Sequence, residues 1–214
     1  MAIRKSRNRR ACEVRSGAVH RQRRLRFEAL EDRRLLTAII GNNIAVGSEL
    51  RNYRIAIAAT AEYTIFHGGE MEAFGAIQQL VAELNKIYEP ELALHLDLVS
   101  DTNVIYTVPA TDPYTSGDLD AMLGQNQNTL DSVIGSANYD VGHVVDYTVE
   151  AGGGLSVLAS VGFEGSKARG ATGSYNPLGP VFVSTVAHEL GHQFGADHTF
   201  NSTLVGTACG DPEQ

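Results

Sequence analysis

One segment limits what this chain can fold into more than any other: Val183-Ser184-Thr185-Val186-Ala187-His188-Glu189-Leu190-Gly191-His192-Gln193-Phe194-Gly195-Ala196-Asp197-His198. On an α-helix, His188 and His192 stand four residues and about one turn apart, so both imidazoles leave the same face. Two imidazoles at that spacing suit one tetrahedral zinc ion, with Zn–N about 2.0–2.1 Å. Glu189 lies about 100° round the helix from His188, near the metal but not aimed to coordinate it. It is placed to take a proton from a water that the metal activates. Val183, Val186, Ala187, Leu190 and Phe194 gather opposite His188, so the same helix predicts a buried apolar face. Ser184 is the expected N-cap.

Gly195 extends the constraint. A helix that must stop at once and turn sharply favours a left-handed residue, which glycine adopts without a Cβ penalty. The turn can return His198 to the metal as a third ligand. Three His ligands leave a fourth position open, as in catalytic rather than structural zinc sites. The expected site is therefore Zn²⁺ held by His188, His192 and His198, with Glu189 as general base and Gly195 as the structural turn.

Charge divides the chain. Residues 1–37 hold twelve Lys+Arg and four Asp+Glu, a balance of +8. The remainder holds five Lys+Arg and 21 Asp+Glu, a balance of −16. The acidic part is a poor partner for nucleic acid, because phosphate repels it. The basic part is compatible with a nucleic-acid arm, a membrane-surface segment or a targeting leader. Arg26–Ala38 is similar to a stretch near the N-terminus of some bacterial exported proteins, and Leu36-x-Ala38 resembles a small-residue cleavage site. Residues 1–38 thus read as a basic export leader, 39–50 as a linker and 51–214 as the catalytic domain, in an exported protein. No run approaches the roughly 18 apolar residues of a membrane-spanning helix, so no transmembrane anchor is expected. Cys12 falls in the leader, which leaves Cys209 as a single cysteine in the body.

Strands and helices alternate after the linker. Tyr53, Ile55 and Ile57 alternate with Arg54 and Ala56, as in a strand. His67-Gly68-Gly69 reads as a turn. Phe74, Ile77, Val81, Leu84 and Tyr88 recur at helical spacing over 70–88, and Pro90 is expected to end that helix. Leu92–Leu98 alternates like a strand, and Val104–Val108 is a further short one. Residues 109–117 read as a loop. Asp118–Ile134 reads as a second helix with Met122, Leu123, Leu130, Val133 and Ile134 as core. Val141–Val149 and Gly152–Ala159 are strand-like, and Gly162–Pro180 reads as a long Gly-rich loop. The class is α/β with a mixed sheet.

At the His motif the sequence resembles the metzincin zinc metallopeptidases, and among them the bacterial reprolysin-like (adamalysin-related) family. Ile105–Thr107, Ala110–Tyr114, Ile134–Asp140, Gly165–Gly170 and His198–Asn201 also look like that group, and the likeness covers residues 51–205. The resemblance implies a twisted mixed sheet above the active-site helix, two long helices, and an antiparallel edge strand along the cleft. Such an edge pairs with an extended protein or peptide substrate through main-chain hydrogen bonds. Gly154, Leu155 and Ser156 are the candidates for it. The sequence departs from the pattern in two places. Thr199 follows the third His where many reprolysins carry Asp. No Met follows Met122, so the Met-turn that the family places beneath the site is missing. The C-terminal subdomain therefore reads as truncated, and Cys209 as having lost a disulfide partner with it.

His67, His95 and His143 are isolated and read as turn, strand or core-edge residues. Lys167 and Arg169 read as a solvated loop face. Asp112, Asp118 and Asp120 could bind calcium, although they lack an EF-hand spacing. Two functions follow: a zinc endopeptidase that hydrolyses peptide bonds, or a catalytically degenerate protease-like surface or binding module lacking the Met-turn. Zinc content and zinc-dependent melting discriminate between them.

Overall fold

The computed structural model describes residues 49–149 and 152–198. The basic leader, most of the linker and Cys209 lie outside the described residues. Five strands form one sheet: β1 (Arg51–Ala59), β2 (Leu94–Leu98), β3 (Val141–Tyr147), β4 (Gly153–Ser156) and β5 (Gly170–Ser174), in the order β2-β1-β3-β5-β4. The first four strands in that order run parallel, and β4 pairs antiparallel with β5. Four helices accompany them: α1 (Ala61–His67), α2 (Glu70–Leu92), α3 (Leu119–Val133) and α4 (Pro180–Gln193). This is the mixed α/β architecture with an antiparallel edge that the sequence led us to expect.

Side chains of β1 alternate between two cores, as strand geometry requires. Ile55, Ile57 and Ala59 face α2 and α4, together with Val141, Val145, Leu84, Val186 and Leu190. Ala56 and Ala58 face α3, with Val144, Met122, Leu130 and Ala171. A parallel strand flanked by neighbours and covered on both faces has no solvated side, which is why Ile55–Ala59 is buried throughout.

Several boundaries differ from the sequence reading. Helix α1 has no amphipathic period over its seven residues. It is held by Thr60, whose Oγ1 accepts from the Tyr63 N–H at 3.2 Å, and by the left-handed Gly68. Helix α2 runs past Pro90 to Leu92. A proline in a last turn removes one hydrogen bond while its fixed φ stays helical. The stop is Ala93 at φ 53°, whose N–H returns to the Tyr88 and Glu89 carbonyls. Strand β2 accordingly begins at Leu94, not Leu92. Val104–Val108 is not a strand: a 3-10 turn spans Thr102–Val104, and only Ile105 bridges to Ala59. Val133 is exposed, while Asn126, Gln127 and Thr129 of α3 are buried.

Two further corrections concern the approach to α4. The Gly-rich stretch 162–180 contains β5, whose small residues Gly170-Ala171-Thr172-Gly173 are buried. A Cβ on Gly170 would lie 2.4 Å from the Gln193 side chain and 2.6 Å from His143, so the closeness of α4 dictates the residue. Helix α4 starts at Pro180 with Gly179 as N-cap, and Ser184 sits inside it, its hydroxyl donating to the Val181 carbonyl. Proline suits a first helical position because its missing N–H has no helical partner there. Lys167 is also not on a solvated face. Its ammonium donates to the Ser136 carbonyl at 2.7 Å and the Glu164 carboxylate at 3.1 Å, and lies 4.8 Å from the Tyr139 ring centre. Arg169 is exposed, as expected.

Candidate active site

Helix α4 presents its apolar residues Phe182, Val186 and Leu190 to the core, with Val183, Ala187 and Phe194 packed at its margin. That fixes its rotation and turns His188 and His192 outward. Tyr88 of α2 fixes its height, donating its hydroxyl proton to the Ala187 carbonyl at 2.5 Å. The helix stops where Gly195 takes φ +97°, closed by hydrogen bonds from Gly195 N to His192 O and from Ala196 N to Gly191 O. The turn brings His198 back beside the helix.

The three imidazoles converge. His188 Nε2 lies 3.0 Å from His192 Nε2 and 3.0 Å from His198 Nε2, and the last two are 3.1 Å apart. His192 Nδ1 stands 2.6 Å from the Ala196 carbonyl oxygen. A carbonyl only accepts, so the proton sits on Nδ1 and the Nε2 of His192 offers a bare lone pair. Lone pairs so close repel one another unless a cation sits among them, and a small ion about 2 Å from each nitrogen fits the triangle. Among the described residues this is the one group of His, Cys, Asp and Glu gathered as a metal site. Two of the three carboxylates weighed for calcium are engaged separately, and Asp120 is exposed on the first turn of α3. Asp112 accepts from the Ala61 and Tyr114 amides, and Asp118 caps α3 through the Ala121 amide.

Glu189 stands outside that group. Its side chain is buried beneath β4, where Ser156 Oγ donates to its Oε2 at 2.7 Å. Gly154 lies directly over it. A Cβ at that position would stand 2.3 Å from Glu189 Cγ and 2.6 Å from its Oε1. Gly154, Leu155, Ser156 and Leu158 form one wall of a cleft of about 310 Å³; His188, Glu189, His192, Asp197 and His198 form the other. Leu155 is exposed. Strand β4 ends the sheet order, so its outer edge has no strand partner among the described residues.

Beneath the site lies a polar layer with no signal in the sequence. His143 of β3 is fully buried, its Nε2 2.9 Å from Thr172 Oγ1 and its Nδ1 3.3 Å from Gln193 Oε1. Gln193 in turn donates to the Gly142 carbonyl at 3.0 Å and the Lys167 carbonyl at 3.3 Å. Burial lowers the His143 pKa to about 4, against a partial rise from Gln193. The ring is thus a neutral spacer that ties the residue after His192 to the sheet. His95 of β2 is paired with Glu89 of α2 and Asp97 of its own strand. His67 ends α1 against Tyr63 and Phe66.

A sheet with an antiparallel edge strand above a helix carrying two of three convergent imidazoles and a buried glutamate defines a metallopeptidase of the metzincin class. A family model, Metallo-peptidase family M12B Reprolysin-like, matches residues 50–211, and the chain belongs to that family. No individual curated protein matches the chain. The family is zinc-dependent and acts on proteins or peptides. No helix among the described residues is long and apolar enough to cross a membrane.

Proposed function

We propose that this chain is a zinc-dependent endopeptidase that cleaves an extended peptide laid along the outer edge of β4. The observation that carries this reading is the convergence of three imidazole Nε2 atoms within 3.1 Å beside a buried glutamate under that strand. His188, His192 and His198 would hold the ion. Zinc bound there supplies Lewis acidity: it polarises the scissile carbonyl and makes water a nucleophile near neutral pH. The β4 backbone pairs with the peptide and aligns the bond, and its outward N–H and C=O groups accept any sequence. The Glu189 carboxylate takes the proton of the attacking water as oxygen bonds to the carbonyl carbon. It then delivers that proton to the departing nitrogen as the C–N bond breaks. The basic segment 1–38 is read with this as an export leader, which mass spectrometry of the secreted protein would reveal as cleavage after Ala38.

Glu189→Gln keeps the shape of the side chain and removes the base. Cleavage of a denatured protein substrate should fall on the order of a thousandfold, with one zinc per chain retained by elemental analysis. Undiminished cleavage by that variant would overturn the role of Glu189. A parent protein that binds no zinc would favour a degenerate binding module instead.

A further inference from the structure

The geometry points to Ser156 as a positioning residue that holds Glu189 in its reactive orientation and couples it to the substrate-binding strand. The inference rests on the endopeptidase reading above and adds a residue to it. Ser156 is the last residue of β4. Its Oγ lies 2.7 Å from Glu189 Oε2 and 3.0 Å from the backbone carbonyl of the same glutamate. A hydroxyl has one proton, and the bond to a charged carboxylate is the stronger of the two, so Oε2 receives it. Among the described residues this is the one side-chain hydrogen bond to the Glu189 carboxylate. A glutamate side chain has three rotatable bonds, and ordering it costs entropy that some contact must offset. Here two contacts from one strand do so. Ser156 ties Oε2, and the bare Cα of Gly154 lies over Cγ and Oε1, where any side chain would collide. Oε1 is left to receive the proton.

The arrangement has a functional consequence. Both contacts come from the edge strand whose opposite side is proposed to pair with the peptide. The strand that holds the base is therefore the strand that would receive the peptide, so base and substrate share one frame. Losing the hydroxyl should lower turnover without weakening docking, because the β4 backbone groups that bind the peptide are unchanged.

The test uses the full chain, loaded with zinc, and an internally quenched peptide. Ser156→Ala should lower kcat roughly tenfold with KM and zinc content unchanged, the pattern of a contact that matters in the transition state. Ser156→Thr, which restores a hydroxyl on a residue suited to a strand, should return kcat to within about threefold of the parent. A second readout needs no activity. In a crystal structure of metal-free Ser156→Ala, Glu189 should occupy more than one rotamer, where the parent shows one. An unchanged kcat in Ser156→Ala alongside an inactive Glu189→Gln overturns the positioning role and leaves the endopeptidase reading standing. A rise in KM with kcat unchanged overturns it too, because Ser156 would then serve docking alone. If the parent itself does not cleave, the endopeptidase reading fails, and the metal-free structure decides the positioning role: a single Glu189 rotamer in Ser156→Ala sinks it.

Discussion

Gly154 is where a single atom decides most. The strand passes so near Glu189 that a methyl group at position 154 would stand 2.3 Å from its side chain. Neither neighbour can yield freely, since β4 is hydrogen-bonded to β5 and Glu189 is on a packed helix. Gly154→Ala should therefore displace the base by a fraction of an ångström to an ångström. Cleavage should drop on the order of a hundredfold while zinc stays bound, measured by steady-state kinetics and elemental analysis. Two of the three converging imidazoles were legible because a helix repeats and residues four apart must share a face, and the third because Gly195 marks a turn. The need for glycine at 154 was not legible. It arises from the approach of a strand to a helix more than thirty residues away in the chain.

His143 makes a second residue-scale prediction. Its ring is neutral in the fold, with a pKa lowered by burial to about 4, while in the unfolded chain it titrates near its ordinary value of about 6.5. The unfolded state therefore binds the extra proton between those two values. The stability that neutral His143 provides is fully present above about pH 6.5 and is lost as pH falls toward about 4. In metal-free protein, urea unfolding at about pH 7.5 and about pH 5 should differ by about 2 kcal/mol more in the parent than in His143→Gln. Equal pH dependence in the two proteins would exclude this account of His143.

At the scale of elements, the loop 109–118 and the start of α1 are tied to the sheet by one carboxylate. Asp146 of β3 is fully buried and accepts from Thr60 Oγ1 at 2.7 Å, Ser116 Oγ at 2.9 Å and the Gly117 amide at 2.8 Å. Asp146→Ala leaves the buried Thr60 hydroxyl without this acceptor and unties the half-buried Ser116 and the exposed Gly117. The expected loss is about 3 kcal/mol, read from the midpoint of urea unfolding. Legibility of the elements followed their periodicity. Helix α2 carries a strong apolar stripe and α3 a weaker one, in which Met122 and Leu130 share the buried face with Asn126, Gln127 and Thr129. Strand β5 was invisible because Gly170-Ala171-Thr172-Gly173-Ser174 has no large apolar residue and no alternation. It is a strand because its neighbours β3 and β4 complete its hydrogen bonds and because α4 lies too close for anything bulkier. Helix α1 escaped for a related reason, since two caps rather than a stripe define it.

At the scale of the whole molecule, metal binding and folding should be linked. The triad gathers residues from a helix and from the chain beyond its terminal turn, so the ion stabilises only the arrangement that brings them together. Zinc at about a thousand times its dissociation constant should add about 4 kcal/mol, raising the melting temperature by roughly 10 °C over protein treated with a chelator. Differential scanning fluorimetry with and without zinc measures it, and coincident melting curves would mean that the triad does not bind the ion. The shared helix face of His188 and His192, the turn at Gly195 and the α/β class were set by local spacing. Those properties depend on residues a few positions apart, where helix and strand periods are fixed by covalent geometry. The tertiary structure alone decided that Ser156 meets Glu189, that Gly154 has no room for a side chain, and that His143 and Gln193 brace the active-site helix. Each of these joins segments distant along the chain, and only the packing of sheet against helix brings such atoms within bonding distance.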